Sequence, residues 1–220
     1  MWVISPDKVF EKDIKLADDW FSGYLSLTYM KTNGQNKKKD DIRLVDRIRK
    51  GDALAFEELF FKYYSRLCGF AVKLVKSPDI AKDCVQEVFL KIWRNRKDWS
   101  VYYSLSVYLY QAVRNQALNQ LEKSKTHREY SERYYEEDFH NPVSEGRNLS
   151  NEEMALIGEI WKIVEQMPQR RKMVFELHRK HGLSYKEIAQ IMDITRKTVE
   201  NHMGKALQDV RDQLNGNTYF

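Results

Sequence analysis

The sequence predicts an all-α protein of two small helical domains joined by a flexible linker. Apolar residues recur at three- and four-residue spacing along most of the chain, alternating strand-like runs are few, and only nine glycines and four prolines punctuate it. With 220 residues, 42% of them hydrophobic, the chain holds enough apolar surface for one or two modest cores and is not disordered throughout.

Residues 1–39 read as an N-terminal extension, either disordered or the product of a mis-assigned start. They end in the polar, basic stretch "KTNGQNKKK", a flexible joint, and Met30 just before it is an alternative first residue. Trp2, Phe10, Trp20, Phe21, Tyr24 and Leu27 make this segment apolar enough to pack on the rest of the chain or on a partner.

Residues 40–123 carry three helical stripes that can bury one another in a bundle. The first comprises Phe56, Leu59, Phe60, Tyr64, Leu67, Ala71 and Leu74. In "SPDIAKDCVQEVFLKIWRNR", Ser77 is placed to cap a helix and Pro78 to occupy its first turn, with Ala81, Cys84, Val85, Val88, Phe89 and Ile92 on the core side. The third stripe is Leu105, Leu109, Ala112, Val113, Ala117 and Leu121.

Residues 124–149 lack a sustained apolar face and have an acidic middle, the composition of a linker. Residues 150–214 form the second domain, followed by a tail at 215–220. It opens on a capping box at Ser150 and Glu153 and continues through Ile160, Trp161, Val164 and Met167. A second helix runs to about Lys180, and Gly182 suits its left-handed stop. Then "SYKE" places a further capping box at Ser184 and Glu187, "DIT" makes a turn, and Thr195 caps a last helix. Ile188, Ala189, Ile191 and Met192 face inward from the penultimate helix, and Val199, Met203, Ala206, Val210 and Leu214 from the last. Two capped helices around a short turn have the layout of a helix-turn-helix whose second helix enters a DNA major groove. Its outer face, with Arg196, Lys197, Glu200, Asn201 and Lys205, mixes side chains that engage base edges with side chains that hold phosphates.

Composition narrows the class further. The excess of 37 Lys and Arg over 32 Asp and Glu, a formal +5, suits a polyanionic partner only where it is concentrated locally. Cys68 and Cys84 lie in apolar helical patterns without metal-ligand spacing, which suits a reducing cytoplasm. No run reaches the length of a membrane span, and Glu11, Asp18 and Asp19 interrupt any signal-peptide core, so a soluble, cytoplasmic chain without membrane insertion is expected. There is no HExxH, phosphate-binding glycine loop or serine elbow, and His127, His140, His178, His181 and His202 are scattered. No catalytic residue, metal or cofactor is therefore expected.

Two surfaces of the first domain remain open in chemical terms. The outer face of the Pro78 helix, with Lys82, Asp83, Gln86, Glu87, Lys91 and Arg94, is either a solvated face carrying a Glu87–Lys91 pair or a docking surface. Beyond it Lys97, Trp99, Tyr102, Tyr103, Tyr108 and Arg114 interleave cations with exposed-looking rings, which suits single-strand binding but also core filling.

The segments "GDALAFEELFFKYYSRLCGFA", "PDIAKDCVQEVFLKIWRNR", "SVYLYQAVRNQALNQL" and the run from "MPQRRKMVFELH" to "KALQDVRDQL" resemble, in this order, the extracytoplasmic function sigma factors of bacterial RNA polymerase. The likeness spans about Asp40 to Leu214, with the first domain similar to sigma region 2 and the second to sigma region 4. It implies that Asp83, Gln86, Glu87 and Arg94 contact the clamp helices of the largest subunit of core RNA polymerase. It implies that Lys97, Trp99, Tyr102, Tyr103, Arg114 and Asn115 read the −10 promoter element as single-stranded DNA. It implies that Arg196, Lys197, Thr198, Glu200, Asn201 and Lys205 read the −35 element as duplex, and that an anti-sigma factor holds the protein inactive. The helix-turn-helix alone also resembles the DNA-binding half of response regulators; that alternative requires an N-terminal receiver with alternating strands and helices, a pattern absent from the sequence. A helical protein-binding adaptor is the remaining alternative, separated by whether the protein directs polymerase to a promoter.

Overall fold

The computed structural model describes residues 34–101, 104–125 and 150–216, which form eight helices and no strand. In chain order they are α1 (Gly34–Arg49), α2 (Ala53–Val75), α3 (Pro78–Arg94), α4 (Leu105–Lys125), α5 (Asn151–Glu165), α6 (Gln169–Arg179), α7 (Tyr185–Met192) and α8 (Arg196–Gly216). The extension before Gly34, most of the linker, and Tyr102 and Tyr103 lie outside the described residues.

Helix α1 begins inside the stretch expected to be a flexible joint. Gln35, Asn36 and the three lysines that follow contain no β-branched residue or proline, so nothing in the local chemistry stops a helix that tertiary packing nucleates further on. Leu44, Val45 and Ile48 provide that packing. Asp41 and Lys62 tie α1 to α2 at 2.9 Å, and Arg47 reaches Asp52 at 2.8 Å across the turn. Asp52 then caps α2, accepting from the Ala55 amide at 3.1 Å.

The first bundle packs α2, α3 and α4 on one another, with α1 against α2. Ser77 accepts from the Ile80 amide and Pro78 opens α3, as expected, and all six residues of its predicted stripe are buried. The bundle's polar interior is small: the Tyr63 and Ser106 hydroxyls share a buried hydrogen bond of 3.1 Å between α2 and α4. Cys68 and Cys84 are buried free thiols, and burial pushes Cys68 up to about 11.

The second bundle closes through α6, α7 and α8, with α5 laid on α8 and α6. At the end of α6, Gly182 (φ 67°) lets its own amide reach the His178 carbonyl and the Leu183 amide reach Leu177, a left-handed stop that glycine adopts without Cβ strain. The two bundles are in contact, α4 against α7 and α2 against α6. Nothing in the periodicity announced that contact.

Candidate nucleic-acid interface

The helix-turn-helix is set by two side-chain caps and one strained turn residue. Ser184 and Glu187 form a complete capping box at the start of α7. Asp193 ends α7 with a left-handed backbone (φ 56°), a conformation that the short polar Asp tolerates better than most residues. Thr195 then caps α8, its hydroxyl accepting from the Thr198 amide at 3.1 Å. Val199, Met203, Ala206 and Val210 are buried beneath, so the opposite side of α8 is fixed as the outer face.

On that face Arg196, Lys197, Asn201 and Lys205 are exposed. Glu200 pairs with Arg196 at 3.1 Å and approaches Lys197 at 3.9 Å, holding both cations along the helix before any ligand arrives. Thr198 is partly buried, and its hydroxyl lies 2.8 Å from that of Thr195, so it serves the cap first. Gly204 sits among these residues on an exposed turn where an added Cβ would meet nothing, which leaves the backbone itself open to close approach.

A cation from another helix joins this face. Burial lowers the His202 imidazole, and Arg171, Arg170 and Lys205 lower it further through their positive charge, which places α6 and α8 cations around one point. Arg171 is occupied by an ion pair with Asp209, whereas Arg170 is exposed and, like Lys205, bears on His202. Sequence periodicity assigned Arg170 only to an ordinary helix start; a spatial neighbour twelve positions or more away leaves no sequence signal.

In the first bundle, Asp83, Gln86 and Arg94 are exposed along α3 and Glu87 is half-buried. The expected Glu87–Lys91 pair forms at 3.7 Å, and Lys91 also donates to Gln116 of α4 at 2.9 Å. Leu90, 41% exposed, places an apolar patch in the middle of these charges, a feature missed when the face was judged by its charged residues alone.

The expected single-strand residues separate. Trp99 is only 5% exposed, which corrects its reading as an exposed ring. The chain after α3 turns back, with the Asp98 amide bonded to the Asn95 carbonyl and the Trp99 amide to Arg96, and this drops the indole into the core beside Tyr108, 5.9 Å between ring centres. Arg96 fixes the turn by donating to the Trp93 carbonyl at 2.8 Å while lying 4.5 Å over the Trp93 ring. Trp99 and Asn115 line one groove of about 530 Å³ between α3 and α4, together with Asn95, Asp98, Tyr108 and Asn119. Lys97 and Arg114 do not line it; Lys97 is exposed and Arg114 half-buried. The Trp99 Nε1–H is buried with no hydrogen-bond partner among the described residues.

Comparison with known proteins supplies what the geometry cannot. Residues 59–127 match the family model "Sigma-70 region 2" and residues 157–210 match "Sigma-70, region 4". The chain is 30% identical over 182 residues to an ECF RNA polymerase sigma-E factor of Haemophilus influenzae, covering 79% of this chain and 95% of that one. It is 29% identical over 178 residues to the ECF RNA polymerase sigma-E factor of Escherichia coli K12, covering 78% and 92%. A solved structure, CnrH in complex with the cytosolic domain of CnrY, aligns at a TM-score of 0.49 and 16% identity over 79% of this chain and 96% of that one.

Proposed function

The chain belongs to the extracytoplasmic function (ECF) group of sigma-70 RNA polymerase sigma factors, and from that membership we propose which of its surfaces performs each step of promoter selection. Sigma factors of this family are initiation factors that give RNA polymerase its promoter specificity and are not enzymes. Two tasks must therefore be met by binding alone: holding core polymerase and discriminating DNA sequence.

The outer face of α8 reads the −35 element. Arg196 and Asn201 have the donor and acceptor sets that engage guanine and adenine edges, and Lys205 with Arg170 neutralises phosphates. Glu200 fixes the direction of Arg196, and Thr198 acts through the cap it shares with Thr195. The single observation that carries this assignment is the set of four exposed side chains on a helix whose opposite side is fully buried.

The α3–α4 groove holds unpaired −10 bases. Asn95, Asp98, Asn115 and Asn119 offer donors and acceptors at its rim, and the indole of Trp99 is a floor rather than a stacking platform. Tyr102 and Tyr103 are retained as −10 contacts by family likeness, with Lys97 and Arg114 as phosphate contacts beside the groove. The α3 face of Asp83, Gln86, Glu87 and Arg94, centred on Leu90, docks on the clamp helices of the largest polymerase subunit, and an anti-sigma factor is the further partner the family implies.

Run-off transcription with core polymerase, followed by mapping of RNA 5′ ends, tests this reading as a whole. Discrete starts downstream of a shared pair of elements are expected. Binding to DNA with no initiation at any promoter would leave only a helix-turn-helix repressor.

A further inference from the structure

Between the reading face of α8 and its buried stripe runs a third side, and that side meets α6. Thr198, His202, Lys205 and Asp209 follow one another along it at steps of three or four residues. Asp209 pairs with Arg171 in the first turn of α6, which fixes the start of α6 against α8 here. His202 is half-buried on this side, one residue after the exposed Asn201 and three before the exposed Lys205. The imidazole therefore sits at the edge of the surface assigned to the −35 duplex.

The charges around it are positive. Among the described residues, those that bear on His202 are Arg171 and Arg170 of α6 and Lys205 of α8; the other helices packed on α8, α5 and α7, add none. Asp209 already matches Arg171, whereas Arg170 and Lys205 are exposed. Burial first, and these cations after it, hold the imidazole below its ordinary 6.5, so it is uncharged at neutral pH. A DNA phosphate held by Arg170 and Lys205 reverses that balance: its charge offsets both cations, and imidazolium gives it a charge-assisted hydrogen bond.

We infer that His202 is a further phosphate contact of the −35 duplex and that it gains a proton as the DNA arrives. The inference deepens the −35 reading assigned to α8 above and rests on it. Phosphate carries no base identity, so His202 adds affinity and leaves sequence preference to Arg196 and Asn201. Because the complex holds more protons than its separate parts, affinity rises as pH falls through the value of His202 in the complex, and levels off below its value in the free protein. Protonation also neutralises one more phosphate, so salt sensitivity rises with it. A histidine here ties −35 affinity to the acidity of the medium, which a permanent cation at the same place does not.

The test uses the full chain and duplex DNA carrying the −35 element of a promoter mapped by run-off transcription. Binding is measured from about pH 8 to about pH 5.5 at several salt concentrations, for wild type, His202→Gln and His202→Arg. Between the two ends of that range the wild type should gain about fivefold more affinity than His202→Gln, with the same gain on single-base variants of the element. Its salt slope should steepen by about 0.9 on acidification, while His202→Gln keeps the shallower slope and His202→Arg the steeper one throughout. The histidines common to all three proteins cancel in this comparison. Identical pH profiles and salt slopes for wild type and His202→Gln would overturn the inference, and so would an acid gain confined to particular bases. If Arg196→Ala and Lys205→Ala also leave binding unchanged, the −35 assignment to α8 fails and takes the inference with it.

Discussion

Ser184 and Glu187 satisfy each other's backbone at the start of the helix-turn-helix: the Ser184 amide donates to Glu187 Oε2 at 2.9 Å and the Glu187 amide to Ser184 Oγ at 3.3 Å. An eight-residue helix has little stability of its own, so this reciprocal cap holds the angle at which α7 presents α8. Ser184→Ala should lower the denaturant midpoint by an amount equivalent to about 1 kcal/mol. It should weaken −35 binding to all sequences alike, because the reading face is unchanged. A change in base preference would show that Ser184 itself touches DNA.

On α8 the two kinds of contact are separable. Arg196→Ala and Asn201→Ala should each relax preference at one base pair, worth about 1–3 kcal/mol of discrimination. Lys205→Ala and Arg170→Ala should leave preference intact and each reduce the salt slope of log Kd by about 0.9. Binding measured against a set of single-base variants at two or more salt concentrations distinguishes them.

Polymerase docking should fail without loss of the fold when the α3 face is reversed in charge. Asp83→Arg with Glu87→Lys removes one exposed pair with Lys91, so thermal stability should change by no more than about 0.5 kcal/mol. Co-purification with core polymerase should be lost. Leu90→Ala should weaken it as well, since an apolar side chain ringed by charge is where an interface excludes water.

The buried position of Trp99 changes how −10 reading must be tested. Trp99→Ala would cost about 3–5 kcal/mol of packing and say nothing of DNA. Trp99→Phe keeps an aromatic floor and removes the unpartnered Nε1–H, and Asn115→Ala removes a rim contact without touching the core. Both should slow open-complex formation on paired promoters, seen by permanganate reactivity, and Asn115→Ala should be rescued on a template mismatched over the −10 element. Wild-type opening by both variants would show that the groove reads nothing.

Acid should undo the bundle contact. Burial, followed by the charges of Arg66, Lys180 and Lys73, lowers His181 from 6.5 to about 3, and the Tyr110 ring covers it from α4. Away from this environment the imidazole binds a proton near pH 6.5, so the docked, neutral form is favoured above that value. That advantage is lost as pH falls from 6.5 towards 3, by up to about 1.4 kcal/mol per pH unit. Fluorescence transfer between the bundles should therefore drop in this window, and His181→Gln should flatten the profile.

Most of the architecture was written locally. The spacing of Ala81, Cys84, Val85, Val88, Phe89 and Ile92 specifies which side of α3 is core, because a 3.6-residue period leaves one stripe to bury. Ser77, Ser184 and Thr195 announce helix starts because a side-chain oxygen three residues before an amide is a local relation. Gly182 announces a stop for the same reason. The exposed set of Arg196, Lys197, Asn201 and Lys205 follows from the same period, as the complement of the buried one.

Tertiary structure alone decided the rest. An aromatic between two helices is equally suited to a stacking platform or a core, and only the turn held by Arg96 determines that Trp99 goes inward. Arg170 reaches the surroundings of His202 because α6 packs on α8, and Lys73 finds Glu176 across more than a hundred residues of chain. Contacts of that kind depend on how finished helices pack, and periodicity encodes only which side of each helix is apolar. The docking of α4 on α7 belongs to the same class: Gln111 meets the Gln190 carbonyl, and Tyr110, buried, meets His181, each across some seventy or more residues of chain.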